Sequence, residues 1–216
     1  MKFSAWRTGA PYYIPLLASG TGATALLWPM GYGPAGLLIL AAGLFSLSFF
    51  RDPPRRISAD PNDIVSPADG TVVAIEELAD SPHYDGPCRR ISIFLSVFNV
   101  HVNRVPAAGS VESVLYKRGQ YKNAMNPESS KVNESNAVRF QTSHGPMTVR
   151  QVSGAIARRI VCLPSAGDTF DKGAKFGMIK FGSRTELYLP MEMAVCVKMR
   201  DKVKGGASVV AKRAQP

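Results

Sequence analysis

The 216-residue sequence is poor in cysteine, histidine and tryptophan. Its three cysteines, Cys88, Cys162 and Cys196, lie far apart and form no Cys-x-x-Cys pair, so neither a zinc ribbon nor a disulfide framework organises the chain. Buried free thiols in a reducing compartment are the expectation. The three histidines, His83, His101 and His144, belong to no His-Glu-x-x-His, and there is no Asp-rich loop, so no metal is expected. The chain is basic, with 26 Lys+Arg against 16 Asp+Glu and a net charge of +10. Yet it lacks a basic helix, zinc-finger spacing and the aromatic signature of RNA binders, which argues against nucleic acid. An anionic membrane surface is the polyanion that remains.

The strongest absence is local. No charged residue occurs from Thr8 to Phe50, 43 residues, whereas one bilayer span takes about 20. A single helix of that length would reach ~64 Å, about twice the hydrocarbon thickness. The run is therefore expected to fold back as a helical hairpin, with arms Tyr12–Met30 and Ala35–Phe50. Gly31-Tyr32-Gly33-Pro34 is the reversal, because Gly and Pro interrupt helices. Lys2 and Arg7 precede the run, and Arg51, Arg55 and Arg56 follow it. That pattern puts both ends on the cytoplasmic face of the cell membrane, with the hairpin crossing or only entering the bilayer. A cleaved signal peptide fits poorly, since the run is too long and lacks a small-residue cleavage site.

After residue 56 the texture changes. Short β-type runs alternate with Gly, Pro and Asp turns: residues 70–75, 90–95, 109–115, 147–152, 184–189 and 194–198. Ile91, Ile93 and Leu95 alternate clearly, Met147 and Val149 weakly. Turns at this spacing predict a mainly β, sandwich- or barrel-like domain over 57–216, with short helices near 156–162 and 98–104. The segments Pro67-Ala-Asp-Gly-Thr-Val and Pro106-Ala-Ala-Gly-Ser-Val echo one another, each placing a turn before a strand. The polar stretch 117–134 reads as a loop, with a gating role as a second reading.

Taken singly, the candidate chemical residues have ordinary explanations. His83 and His144 sit in turn compositions that suggest the surface, and His101, among β-branched neighbours, suggests a satisfied core histidine. Asp69-Gly70 is a turn dipeptide. Gly182-Ser183 taken alone reads first as a tight turn, although glycine before serine also permits the backbone angles and open approach that an N→O acyl shift requires.

Five segments in order change the balance. They are residues 49–55 (Phe-Phe-Arg-Asp-Pro-Pro-Arg), 65–70 (Val-Ser-Pro-Ala-Asp-Gly), 98–106 (Phe-Asn-Val-His-Val-Asn-Arg-Val-Pro), 154–160 (Gly-Ala-Ile-Ala-Arg-Arg-Ile) and 177–184 (Gly-Met-Ile-Lys-Phe-Gly-Ser-Arg). With the preceding apolar run, the chain resembles the short-form bacterial and archaeal phosphatidylserine decarboxylases over nearly its whole length. The resemblance implies a proenzyme that cleaves itself between Gly182 and Ser183. It would yield a β chain of residues 1–182 and an α chain from Ser183 to Pro216, associated as a heterodimer or a higher oligomer. Ser183 would become a covalent pyruvoyl group, whose carbonyl condenses with the serine amine of phosphatidylserine and takes up the electrons left by CO₂. The product would be phosphatidylethanolamine.

The resemblance also implies catalytic roles for Asp69 and His101 beside Ser183, after the Ser-His-Asp arrangement of the longer-chain branch. That branch has His-x-x-His, and here the second position is Arg104, which is no base at neutral pH but can hold a carboxylate or phosphate. His101 is then either the base for cleavage or a participant in decarboxylation. Two rivals stand beside this reading. One is a pyruvoyl enzyme for a soluble amino acid, which gives no reason for the apolar run; the other is a membrane-tethered β module that leaves Gly182-Ser183 intact.

Overall fold

The computed structural model describes residues 3–126, 128–155, 159–180 and 182–213, and these divide into two compact units, residues 4–53 and residues 54 onward. In the first unit, the Ser4 hydroxyl accepts from the Arg7 N–H and caps α1 (Ala5–Leu27). A short 3₁₀ turn (Trp28–Met30) and Gly31, at φ +81°, then reverse the chain into α2 (Gly33–Phe49). The reversal falls where expected, and Pro34 sits in the first turn of α2, where a missing N–H costs nothing. α1 begins earlier than Tyr12 because Pro11 and Pro15 are accommodated within it.

The two helices pack against each other through their glycines. A Cβ on Gly36 would lie 2.3 Å from the Thr24 nitrogen, and one on Gly20 2.5 Å from the Leu40 nitrogen. The Ser19, Thr21 and Thr24 hydroxyls donate to carbonyls one turn back, so the polar residues of α1 satisfy themselves within the helix. α2 is strongly apolar but has 17 residues, ~26 Å of rise, whereas α1 is longer and diluted with Gly, Pro and hydroxyl residues. Among the described residues no helix is long and apolar enough to cross a membrane.

The second unit is mainly β. In chain order its strands are β1 (Asp63–Val65), β2 (Gly70–Leu78), β3 (Cys88–Leu95), β4 (Val102–Arg104), β5 (Gly109–Lys117), β6 (Ser135–Thr142) and β7 (Gly145–Val152). They continue with β8 (Ile160–Cys162), β9 (Thr169–Phe170), β10 (Lys175–Ile179), β11 (Ser183–Pro190), β12 (Met193–Val195), β13 (Lys202–Val203) and β14 (Val209–Arg213). One short helix, α3 (Ser129–Val132), lies between β5 and β6. An eight-stranded antiparallel sheet runs β13-β2-β3-β11-β7-β6-β5-β9, beside two three-stranded sheets, β1-β14-β12 and β4-β10-β8. All three feed one core. Ile91, Ile93, Val149 and Leu187 come from the large sheet, Ile64 and Val210 from the first small sheet, and Phe176 from the second. Alternation in β3 and β11 follows from this, since each strand turns one face to that core.

The echoed Pro-Ala segments do the same job twice, each leading into a nine-residue strand, β2 and β5. The short helices expected near 98–104 and 156–162 are a correction. Val102–Arg104 and Ile160–Cys162 are strands, both paired to β10, while residues 156–158 lie outside the described residues. Edge pairing to one strand decides there, and neither segment is long enough for helical propensity to prevail. The run 194–198 is strand only as far as Val195.

On the far face of the large sheet, Arg150 of β7 and Glu186 of β11 stand directly opposite and form a buried ion pair, Nη1 to Oε2 at 3.1 Å. Ser130 donates to Glu186, as does the Tyr188 hydroxyl at 2.9 Å, and Arg150 also donates to the Ser130 carbonyl and the Ser135 hydroxyl. This network ties the 117–134 segment down onto the sheet through α3. Burial pushes the Glu186 carboxyl up, but the Arg150 charge and the Ser130 bond outweigh it and hold it below its ordinary range. A depressed folded-state value means the stabilisation is present above the unfolded carboxylate value and is lost as pH falls through the folded one. Arg150→Ala should destabilise single-chain Ser183→Ala protein by about 3–5 kcal/mol, while the double change Arg150→Met with Glu186→Leu should cost far less. Urea denaturation midpoints measure both.

Candidate active site

β4 pairs with β10 so that Val102 faces Met178, and the Ile179 N–H donates to the His101 carbonyl at 3.3 Å. His101, one residue before β4, is therefore carried to the turn that leaves β10 and enters β11 at Ser183. Its side chain is fully buried, as expected of a core histidine, but its partners are not those of a bystander. Nε2 accepts from the Gly182 N–H at 3.2 Å, and Nδ1 lies 2.9 Å from the Asn99 carbonyl. A carbonyl only accepts and a backbone N–H only donates, so Nδ1 carries the proton and Nε2 is the bare, basic nitrogen.

Gly182 has φ +64°, the left-handed region that disfavours any residue with a Cβ. Its carbonyl oxygen is wedged against Gly154, where a Cβ would lie 2.2 Å away. Ser183 opens β11 opposite Leu95 of β3, completely buried. Its hydroxyl has no hydrogen-bond partner among the described residues. A buried hydroxyl without a partner costs about 1–3 kcal/mol and calls for an explanation. Beside Gly182 opens a cavity of about 280 Å³, lined by Phe94, Ser96, Val97, Asn123, Ala124 and Ala155.

Asp69 is buried too. Its oxygens accept from Arg55 Nη2 at 2.7 Å and from the Gly205 N–H at 2.8 Å. Two of the sequence segments thus meet in one ion pair, Arg55 from 49–55 and Asp69 from 65–70. The orienting bond on Nδ1 that the Ser-His-Asp reading gives to Asp69 is made instead by the Asn99 carbonyl. Arg104 is buried and donates to the Gly173 carbonyl at 3.0 Å.

Three supporting groups carried no expectation. Arg184, buried next to Ser183, donates to the Ala124 carbonyl at 3.0 Å and to those of Met125 and Asn126 at 3.3 and 3.4 Å, fixing the wall of the cavity. Asn103 bonds Thr185 Oγ1 at 3.0 Å and accepts from Gln151 at 2.9 Å, locking β4 to β11 and β7. Gly154 completes the set. All three stand within or beside the quoted segments, but nothing in a linear pattern says which side chain meets which carbonyl.

The surface placement of the other histidines is corrected for His144 and holds in part for the half-buried His83. His144 is buried, with Nε2 on the Pro61 carbonyl at 2.9 Å. His83 packs its edge on Tyr188, and burial followed by the Arg150 charge pushes it down to about 4, so it is neutral at pH 7. The expectation of buried thiols holds for Cys88, holds in part for Cys162, half-buried with its thiol pushed up to about 11 by burial, and is corrected for Cys196, which is exposed. Among the described residues no cluster of His, Cys, Asp and Glu is arranged to hold a metal.

Residues 42–211 match the model of the phosphatidylserine decarboxylase family. A phosphatidylserine decarboxylase proenzyme of Carboxydothermus hydrogenoformans is 44% identical over 82% of this chain and 84% of its own length. Another of that name, from Gluconacetobacter diazotrophicus, is 44% identical over 91% of this chain and 90% of its own. A third, from Syntrophus aciditrophicus, is 41% identical over 94% of both chains.

A methyl group at position 154 would have to displace the Gly182 carbonyl. Gly154→Ala should therefore leave a folded chain whose cleavage at 182/183 is slowed about tenfold to a hundredfold, as measured by the accumulation of uncut protein on denaturing gels.

Proposed function

Because this chain belongs to the phosphatidylserine decarboxylase family, we propose that it cuts itself between Gly182 and Ser183 and then converts phosphatidylserine to phosphatidylethanolamine and CO₂. One observation carries the cleavage: the buried, unpartnered Ser183 hydroxyl follows a left-handed glycine whose N–H is held by an unprotonated histidine nitrogen.

Ser183 Oγ adds to the Gly182 carbonyl carbon. The C–N bond breaks, leaving an ester to Oγ and a free amine on Ser183. Loss of the Ser183 α-proton expels the Gly182 carboxylate, so residues 1–182 end in a free acid. The dehydroalanine left on the other fragment takes up water and releases ammonia, which leaves a pyruvoyl group at the head of residues 183–216. A free hydroxyl is a weak nucleophile, and we assign its proton to His101, held in the right tautomer by Asn99. Nε2 takes the proton on exchanging its bond to the Gly182 N–H for one to Oγ. Gly154 and the φ of Gly182 fix the carbonyl under attack. Asp69 acts at one remove, anchoring Arg55 and the Gly205 amide around the 66–70 turn.

The residues present suit a pyruvoyl group, since its precursor hydroxyl is buried and makes no hydrogen bond among the described residues; such a group supplies an electron sink for loss of carboxylate. The chain's own contribution to turnover is the cavity beside Gly182. Phe94, Val97, Ala124 and Ala155 exclude water there, and Ser96 and Asn123 offer polar contacts to a headgroup. Arg184 keeps the Ala124 wall in place after the cut, because its side chain belongs to one fragment and its partners to the other.

The charge-free run 8–50, with its self-satisfied hydroxyls, supports attachment of the first unit to the cytoplasmic face of the cell membrane. A substrate that stays in the leaflet favours an enzyme held there. The relatives' names speak against a soluble amino-acid substrate, and the geometry at Ser183 speaks against a scaffold that leaves the chain whole.

Intact-mass analysis of the purified protein should find two chains that join at 182/183, the smaller carrying a pyruvoyl group. Ser183→Ala should give one uncut chain, and normal processing of that variant would end the proposal. His101→Ala should also remain uncut. If instead it cleaves and then fails to release CO₂ from phosphatidylserine, His101 serves decarboxylation and cleavage has another base.

A further inference from the structure

Two residues that line the cavity beside Gly182 are each followed by an exposed apolar residue. Val97 lines it and Phe98 follows, 73% exposed; Ala124 lines it and Met125 follows, 62% exposed. Both wall segments are firmly held. The Asn99 N–H donates to the Ser96 carbonyl, and Asn99 Oδ1 accepts from the Ser96 N–H and hydroxyl, closing the turn that bears Phe98. Arg184 holds the backbone of 124–126. Two large apolar side chains are thus presented to solvent on rigid mounts, where hydrophobic groups would otherwise fold inward.

The chain leading to Met125 has a matching character. Residues 115–123 are all exposed, and Leu115, Tyr116 and Tyr121 alternate there with Lys117, Arg118 and Lys122. The next acid, Glu128, is already paired with Lys131 at 3.0 Å. Apolar and aromatic tips among cations are the composition of a surface that settles into the headgroup layer of an anionic bilayer, although the Tyr116 hydroxyl is held by Glu134 at 2.7 Å. An acidic protein partner would meet the cations but gives no reason for Phe98 and Met125 to follow directly on two residues that line the cavity.

We infer that Phe98 and Met125, with the basic stretch 115–123, form an interfacial lip by which the β unit itself docks on anionic lipid, setting the mouth of the cavity at headgroup depth. The inference rests on the lipid substrate proposed above. The lip gives this unit its own membrane contact, additional to any made by the helical unit. It also selects for anionic surface, which is where the anionic substrate is found.

The test uses the full chain with Phe98→Asp and Met125→Asp together, and separately Lys122→Glu. Three readouts are compared with the parent: self-cleavage by intact mass, CO₂ release from dicaproyl phosphatidylserine as dissolved monomers, and CO₂ release from phosphatidylserine in phosphatidylcholine–phosphatidylglycerol vesicles. Cleavage and monomer turnover should match the parent, and vesicle turnover should fall about tenfold. Unchanged vesicle turnover overturns the lip, and so does a parallel fall on monomers, which would place these residues in the site. Failed cleavage by the parent would sink the proposed function instead. Phe98→Trp covers the case in which the aspartates prevent folding. Its added emission should shift blue on vesicles and be quenched by brominated lipid, and emission unmoved by vesicles, or vesicle affinity explained by a second copy or a protein partner covering Phe98, overturns the inference.

Discussion

The Ser183 hydroxyl lies in a completely buried position without a hydrogen bond to any described residue, and the surrounding structure is arranged so that it stays that way. A serine in a loop would find water or turn to its own backbone. Here β11 begins at that residue, pinned between β3 and β7 in the middle of an eight-stranded sheet, so the backbone has no freedom to relieve the side chain. The glycine before it takes a left-handed φ, Gly154 admits the carbonyl, and His101 grips the amide. The stability of the sheet thus holds a locally unfavourable geometry in place, a general feature of reactive sites.

The same dependence explains why buried polar groups are so many in this unit. Arg150, Glu186, Asn103, Gln151 and Asp69 are each taken from water and each given partners. Apolar packing alone would fill the space, but it would not fix the relative positions of β4, β7, β10 and β11 as tightly as directional bonds do. A site built from residues far apart in sequence needs that precision.

Much of this was readable in the sequence, and the limits are physical. The hairpin and its turn were legible because forty-three uncharged residues broken by Gly-Tyr-Gly-Pro have few alternatives. The long strands were legible because Ile91, Ile93 and Leu95 face one core. β4 and β8 were misread because three-residue strands take their conformation from a partner, and β10 is remote in sequence from β4. His144 was placed outside because turns are usually exposed, but its turn folds down so that Nε2 meets the Pro61 carbonyl, whereas His83 stays half at the surface. At the site, Ser183, Gly182 and His101 could be named, while the Asn99 carbonyl on Nδ1 could not, since a backbone acceptor leaves no trace in residue identity. Arg55 and Asp69 were each visible, but not as a pair.

The central position of β11 bears on what happens after a cut at its first residue. The fragment from 183 onward would hold a middle strand of the large sheet and two of the three strands in a small one, β12 and β14. Pulling it out would strip partners from both edges of β11 and open the shared core, so the nicked molecule should persist as one body by sheer slowness of separation. The reverse journey is a different matter. A short peptide headed by a ketone, once melted away, would have to rethread into the interior of a sheet already closed without it. The uncut chain folds as one polymer, whereas a chain cut there would depend on having been folded before, and its architecture would be a memory of the precursor.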